Sequence, residues 1–363
     1  MNRSARKLKT RLTRRNVVQL TAFVPLSFAP LSGLSSAAFG QTLTRIKFVG
    51  AAAVARPDQG FMFLGITTGF YKDLGIDGDF FTTAGSGSVI QLIATNQAQL
   101  GHCGMQELMG AKLKNPTLPV RAVFLQEVGA GYEIVVPRSG SIQSIAELKG
   151  KRIGVMSLAS GAVPFVKSML QSATVDPAAV ELLPVGTGAQ ALAALQSGRV
   201  DALSLFRGQH AALETLGIEF RYFTVPYPSS VMIANETFLK NNRSALVRAL
   251  QGVVLSQVFM RANPQAAVRS FWQINGRPKE DEAKAKALQD GVHLIERAAE
   301  LWKKPDDSRK WGLMTDQDWT QLARFSAIDI TPEQVSALYT DELIEEINKV
   351  DINVALNAAH RAQ

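Results

Sequence analysis

The sequence predicts a mostly parallel α/β protein whose last third is helical. Three observations carry this reading. Short β-rich runs alternate with helical patterns from Thr42 to about Asn235, and everything from about Thr237 onward reads as helix. Clusters of Gly, Ser and Thr recur between a strand pattern and the helix pattern after it. Strands separated by helices call for parallel pairing with right-handed crossovers.

In chain order, residues 45–49 form the first expected strand, and 61–74 an expected helix ending at Gly75. Residues 79–82 give a second strand. After Gly85-Ser86-Gly87, the residues Val89, Leu92 and Ile93 share one helical face. Further strands are expected over 120–125, 133–136 and 152–155, then helices over 162–170 and 190–195. Strand patterns return over 202–205 and 220–223. In the helical third, Glu280/Lys284 and Glu282/Lys286 are spaced as i,i+4 pairs on a solvated face. Trp272, Trp302, Trp311 and Trp319 all lie there and are expected to pack helices onto a lobe rather than cage a ligand. An internal echo is also visible. Gly85-Ser86-Gly87 and Gly186-Thr187-Gly188 each precede a helix ending in a similar phrase, about a hundred residues apart, as two similar α/β lobes would give.

At 363 residues the chain exceeds one compact core and suggests two domains. With 46% hydrophobic residues, wholesale disorder is excluded. One cysteine excludes an intramolecular disulfide and any CxxC site. The net charge of +8 invites a nucleic-acid reading until the charges are located. Seven of the 39 basic residues, and no acid, lie in residues 1–40, leaving 32 basic against 31 acidic residues. The basicity is local, so no polyanion partner is expected.

That basic segment reads as an export signal. Thr13-Arg14-Arg15-Asn16-Val17-Val18 precedes a mildly apolar run to Leu34, broken by Gln19, Pro25, Pro30 and Gly33. Small residues then allow cleavage after Ala38 or Gly40. The paired arginines match the twin-arginine pattern, with an ordinary secretory signal as the alternative. No cysteine stands near the cut for lipidation, and no later segment supplies the roughly 18 apolar residues of a membrane span. The mature protein is expected in the periplasm.

Catalytic signatures are mostly absent. His102, His210, His293 and His360 are scattered, with no HExxH metal motif, no GxSxG elbow and no phosphate loop. Cys103 beside His102 is a poor nucleophile–base pair, because neighbours on a strand face opposite ways, so a buried structural cysteine is expected. No metal or cofactor is expected. The clusters Gly85-Ser86-Gly87-Ser88, Ser157-Leu158-Ala159-Ser160-Gly161 and Gly186-Thr187-Gly188 stand where helix N-termini and strand ends gather ligands, anions above all. Plain helix capping by Ser or Thr is the better account of any one of them alone; the three together weigh capping and ligand binding evenly.

Several phrases resemble the substrate-binding proteins of ABC importers in the nitrate, sulfonate and taurine group, which includes pyrimidine-precursor binders. Gly69-Phe70-Tyr71-Lys72-Asp73-Leu74-Gly75-Ile76 is similar to that group's GxFxxxGL segment. The run 142–155, with Leu148-Lys149-Gly150-Lys151-Arg152-Ile153-Gly154-Val155, resembles its second-lobe opening. Leu195-Gln196-Ser197-Gly198-Arg199-Val200-Asp201-Ala202 and Tyr339-Thr340-Asp341-Glu342-Leu343-Ile344 follow in the group's order. The chain departs at Asn96, Gln99 and Asp77-Gly78-Asp79, and its small apolar segment 51–55 bears on ligand identity.

The resemblance implies a type 2 periplasmic-binding-protein fold: two α/β lobes with mixed sheets, joined by two crossing strands. Lobe I would comprise 41–134 and 230–363 with the C-terminal helices, and lobe II 135–229, hinged near 133–137 and 225–230. First-lobe ligand contacts would be Ser86, Gly87, Ser88, Met105 and Gln106; second-lobe contacts would be Ser157, Ser160, Gly161 and Thr187. Arg207 would pair with a carboxylate or sulfonate, and Tyr132 and Tyr227 would pack beside the hinges. The implied function is capture of a small organic anion, delivered to an ABC permease and its cytoplasmic ATPase by a monomer. An aromatic or pyrimidine-type ligand is the alternative. A sensory module feeding a receptor is another, and so is a pyrimidine-precursor synthase-like enzyme, though that enzyme's cysteine-rich motif is missing.

Overall fold

The computed structural model describes residues 43–362, apart from 53 and 226, so the export signal expected over 1–40 lies outside the described residues. The first strand, β1 (Thr44–Gly50), is followed by a 3-10 turn (Pro57–Gln59), α1 (Gly60–Thr68) and α2 (Phe70–Asp73). The single helix expected over 61–74 is therefore two. Gly69 adopts φ +85, a left-handed conformation that ends α1 and that L side chains rarely adopt.

The chain continues through β2 (Ile76–Thr82), α3 (Ser86–Ala94), β3 (Leu100–Gly104), α4 (Met105–Lys114) and β4 (Val120–Glu127). Next come β5 (Tyr132–Pro137), β6 (Arg152–Val155), α5 (Ala162–Ser172), β7 (Glu181–Pro184), α6 (Ala189–Gln196), β8 (Ala202–Phe206), α7 (Arg207–Glu214), β9 (Phe220–Phe223) and β10 (Ser230–Asn235). The helical third holds α8 (Glu236–Asn241), α9 (Arg243–Ala262), α10 (Pro264–Asn275), α11 (Asp281–Ala299), α12 (Asp316–Phe325), α13 (Pro332–Ser336), α14 (Ile344–Ile347) and α15 (Asn353–Arg361). On α11, Lys284 turns to Asp281 and Lys286 to Asp290, rather than to Glu280 and Glu282, and the face is solvated.

The strands form two five-stranded sheets, ordered β2-β1-β3-β10-β4 and β7-β6-β8-β5-β9. In each, three parallel strands meet one antiparallel strand, β10 in the first and β5 in the second. The two Gly/Ser/Thr echoes occupy equivalent places: α3 joins β2 to β3, and α6 joins β7 to β8. The chain crosses between the sheets twice, from β4 to β5 and from β9 to β10. All of β5 pairs within the second sheet, Tyr132 with Phe206 and Ile134 with Phe223. A boundary after residue 134 thus cuts a paired strand, and the first crossing lies over 128–131 rather than at 133–137.

Three apolar clusters cover the sheet faces. The first packs α1, α9 and α15 on one face of the first sheet, where α9 is almost wholly buried. Gly252 of α9 lies so close to the Tyr71 ring that a Cβ there would overlap it. The second cluster runs from the other face of the first sheet across to α5 and α12, and the third covers the far face of the second sheet.

Candidate functional site

Where the strands of both sheets end, the chain turns into helices around a cavity of about 490 Å³. The first sheet contributes the segment after β1 and the turn into α3; the second contributes the turns into α5, α6 and α7. This is the edge at which open α/β sheets collect ligands. Gly188, with φ +58, starts α6 in a backbone conformation suited to glycine.

Most of the expected contacts meet there. Ser86, Gly87 and Ser88 line the cavity from the first sheet. Ser157, Ser160, Gly161 and Thr187 line it from the second, together with Tyr132 and Arg207. Three expected residues do not. The Met105 side chain is fully buried in the core. Gln106 donates through Nε2 to Ser326 Oγ at 2.9 Å. Tyr227 packs on Phe325 with ring centroids 5.6 Å apart, and with Gln106 it lines a separate pocket of about 30 Å³. The cause is helical pitch: α4 starts at Met105, so its first turn brings Glu107 rather than residues 105 and 106 onto the cavity.

Arg207 is also differently engaged from the expectation. Its guanidinium holds Glu133 at 2.7 Å and Glu300 at 2.6 Å, so two carboxylates of the chain already occupy it. Glu133 is buried on β5 and also faces Arg297 at 3.7 Å and His210 Nδ1 at 3.4 Å. His210 Nε2 accepts from the Leu205 amide at 3.2 Å, which places its proton on Nδ1, toward Glu133. Arg297 continues the network to Glu214 at 3.3 Å and lies over the Tyr222 ring. The network ties β5 and α7 to α11.

Other polar residues line the cavity besides the expected contacts. Arg56 grips Asp58 bidentately, at 2.9 and 2.8 Å. His102 Nε2 meets Ser230 Oγ at 2.9 Å, and burial pushes this histidine down to about 4, so it is neutral at pH 7. Glu127 accepts from Ser229 Oγ at 2.9 Å, and burial raises its carboxyl to about 7 despite that bond and another from Ser230. Burial also raises Glu107, against hydrogen bonds from its own backbone amide, Tyr132 and Ser86. Cys103 is buried, and burial raises its thiol well above the ordinary range, which disfavours a nucleophilic thiolate.

Phe61 and Phe206 supply aromatic walls. Among the described residues no tryptophan lines the cavity, but Trp302 stands edge-on to Phe61 with centroids 6.1 Å apart. A ligand against Phe61 is therefore expected to change tryptophan emission slightly, and Trp302→Phe to remove that change; a large change surviving in Trp302→Phe would contradict the placement. Among the described residues, no helix is long and apolar enough to cross a membrane. Among the described residues, no group of three or more His, Cys, Asp or Glu is placed to hold a metal ion.

Residues 56–267 match the family model described as NMT1/THI5 like. No curated protein matches the chain. Among solved structures, it is similar to a protein of Bordetella bronchiseptica, with TM-score 0.61 and 19% identity, covering 84% of this chain and 97% of that one. It is similar to the alkanesulfonate-binding protein SsuA from Xanthomonas axonopodis pv. citri bound to MOPS, with TM-score 0.58 and 14% identity over 82% and 98% of the two chains. The periplasmic nitrate-binding protein NrtA from Synechocystis gives TM-score 0.58 and 11% identity over 88% and 99%. At these identities the likeness is one of fold.

Proposed function

Because the chain belongs to the NMT1/THI5-like family and shares its fold with periplasmic sulfonate- and nitrate-binding proteins, we propose that it is the ligand-capturing component of an ABC importer. In this reading residues 1–40 are a twin-arginine-type export signal, and the protein works in the periplasm as a monomer. The first sheet with the C-terminal helices forms lobe I, and the second sheet forms lobe II. A small molecule binds between them, contacted by Ser86, Gly87, Ser88 and Tyr132 and by Ser157, Ser160, Gly161 and Thr187. Ligand favours the closed arrangement because only there do both lobes touch it. The permease, with its cytoplasmic ATPase, then takes the loaded form. No chemical step is required of the protein.

The observation that carries this is the cavity of about 490 Å³ bounded by helix starts from both sheets. Its volume falls in the range of small-molecule sites. The test is thermal unfolding with candidate ligands. A ligand present at 100 times its Kd stabilises the folded state by about 2.7 kcal/mol, roughly 5 °C for a chain of this size. A stabilising small molecule supports the receptor. If none stabilises the protein, and none is released when purified protein is denatured and its supernatant weighed by mass spectrometry, the receptor reading is wrong.

A further inference from the structure

We propose that the cavity takes an organic cation, whose positive charge is countered by Glu107 and Glu127. The inference rests on the receptor reading above and specifies its cargo.

It follows from which charges are already matched. Among the described residues, the cations lining the cavity are Arg56 and Arg207. Arg56 is taken by Asp58 through two hydrogen bonds, and Arg207 by Glu133 and Glu300. His102 is neutral at pH 7. Glu107 and Glu127 are the opposite case: among the described residues neither forms an ion pair, and the cation that favours ionised Glu127, Arg207, is already held by Glu133 and Glu300. Glu107 is met by hydrogen bonds from Tyr132, Ser86 and its own backbone amide, and Glu127 by Ser229 and Ser230. A carboxylate withdrawn from water without a counter-charge is costly, and a bound cation relieves that cost.

The helix starts, which the sequence offers as anion sites, are partly occupied by the chain's own acids. A Cβ on Gly161, at the start of α5, would overlap Glu107 Oε1. A Cβ on Gly208, in the first turn of α7, would overlap Asp58 Oδ2. An anionic ligand entering beside these carboxyl groups meets like charge. The rest of the wall, with Phe61, Phe206, Met156 and Leu301, suits the organic part, and aromatic faces favour a cation.

Binding should then be coupled to protons. The groups facing Glu127 are Ser229, Ser230 with His102 behind it, Arg207, Asp58 and Tyr132, and the balance leaves its carboxyl half ionised near pH 7. Between pH 8 and pH 6 its ionised fraction falls about tenfold, so a cation that needs the ionised form weakens by about the same factor.

The test uses the full chain and three probe classes: benzylammonium, benzamidinium and tetramethylammonium; ethanesulfonate, benzoate and nitrate; cytosine and uracil. The expected result is a rise in Tm with at least one cation and a Kd that weakens about tenfold from pH 8 to pH 6. Calorimetry in buffers of different ionisation enthalpy should show proton release. Glu127→Gln should lose both the release and the pH dependence, with its unliganded melting curve confirming the fold; if it does not fold, Glu107→Gln should weaken the cation at pH 8 while keeping the pH dependence that Glu127 sets. Stabilisation by the sulfonate, carboxylate or nitrate but by no cation overturns the proposal and leaves the receptor intact. So does stabilisation by cytosine or uracil alone. A cation bound with equal affinity in Glu127→Gln and Glu107→Gln overturns the assigned residues. Silence from all three classes, with no ligand released on denaturation, overturns the receptor reading itself.

Discussion

Replacing Glu133 by alanine is expected to lower the unfolding free energy by about 3–5 kcal/mol, the cost of breaking a buried ion pair from one side, and Tm by roughly 10 °C. Glu133 is only 1% exposed and serves Arg207, Arg297 and His210 at once. Without it, Arg207 keeps only Glu300, whose side chain is 53% exposed, so the remaining pair is screened by solvent. Glu300→Ala leaves the buried centre intact and is expected to cost under about 1 kcal/mol. Urea unfolding of both variants decides the matter. Equal, small losses would show that the network linking α7 to α11 adds nothing to stability. The same pairs take both terminal nitrogens of Arg207, which lines the cavity, so the Glu133→Ala variant should also alter ligand affinity.

Glu127 is expected to behave in the opposite sense. Its folded-state value of about 7 lies above the ordinary 4.5, so the folded protein holds this proton more tightly than the unfolded chain. The favourable contribution is full below about pH 4.5 and is lost as pH rises through 7. By pH 8 the loss is on the order of 3 kcal/mol, at about 1.4 kcal/mol per pH unit. Glu127→Gln keeps the shape without the charge. It is expected to melt several degrees above the wild type at pH 8 and close to it at pH 5. Equal differences at both pH values would show that the carboxyl is not held neutral by burial. A binding-site group that destabilises the free protein is the usual cost of a preformed charge site.

Much of the architecture is legible from local patterns. Alternating strands and helices, the helical end, and the echo between residues 85 and 186 all have counterparts in the two sheets and their equivalent crossovers. The Gly/Ser/Thr clusters locate the cavity because helix starts must follow strand ends. The misplacements have physical causes. Gly69 splits a helix whose apolar pattern runs straight through it, since a left-handed residue leaves no mark on periodicity. Gln106 and Met105 lie one and two residues before Glu107, about 100° and 200° around the helix, and it is Glu107 that faces the cavity. Arg207 reads as a free strand-end arginine until Glu133 and Glu300, 74 and 93 positions away, converge on it. Long-range pairing of this kind is set by the fold and has no signature in spacing. The acids that dominate the cavity, Glu107, Glu127 and Asp58, sit in otherwise ordinary contexts for the same reason.

The central claim is that a small molecule binds between the two sheets, and Gly87 offers the most direct test. It lines the cavity, and a Cβ placed there meets nothing within 4 Å, so a large side chain can fill the space with little strain on the backbone. Thermal unfolding of wild type and Gly87→Trp should be compared with and without the probe that most stabilises the wild type. The expected result is an unliganded Tm close to that of the wild type, with the ligand-induced rise of roughly 5 °C abolished. A rise of the same size in Gly87→Trp would place the ligand elsewhere and contradict the assignment of this cavity as the binding site.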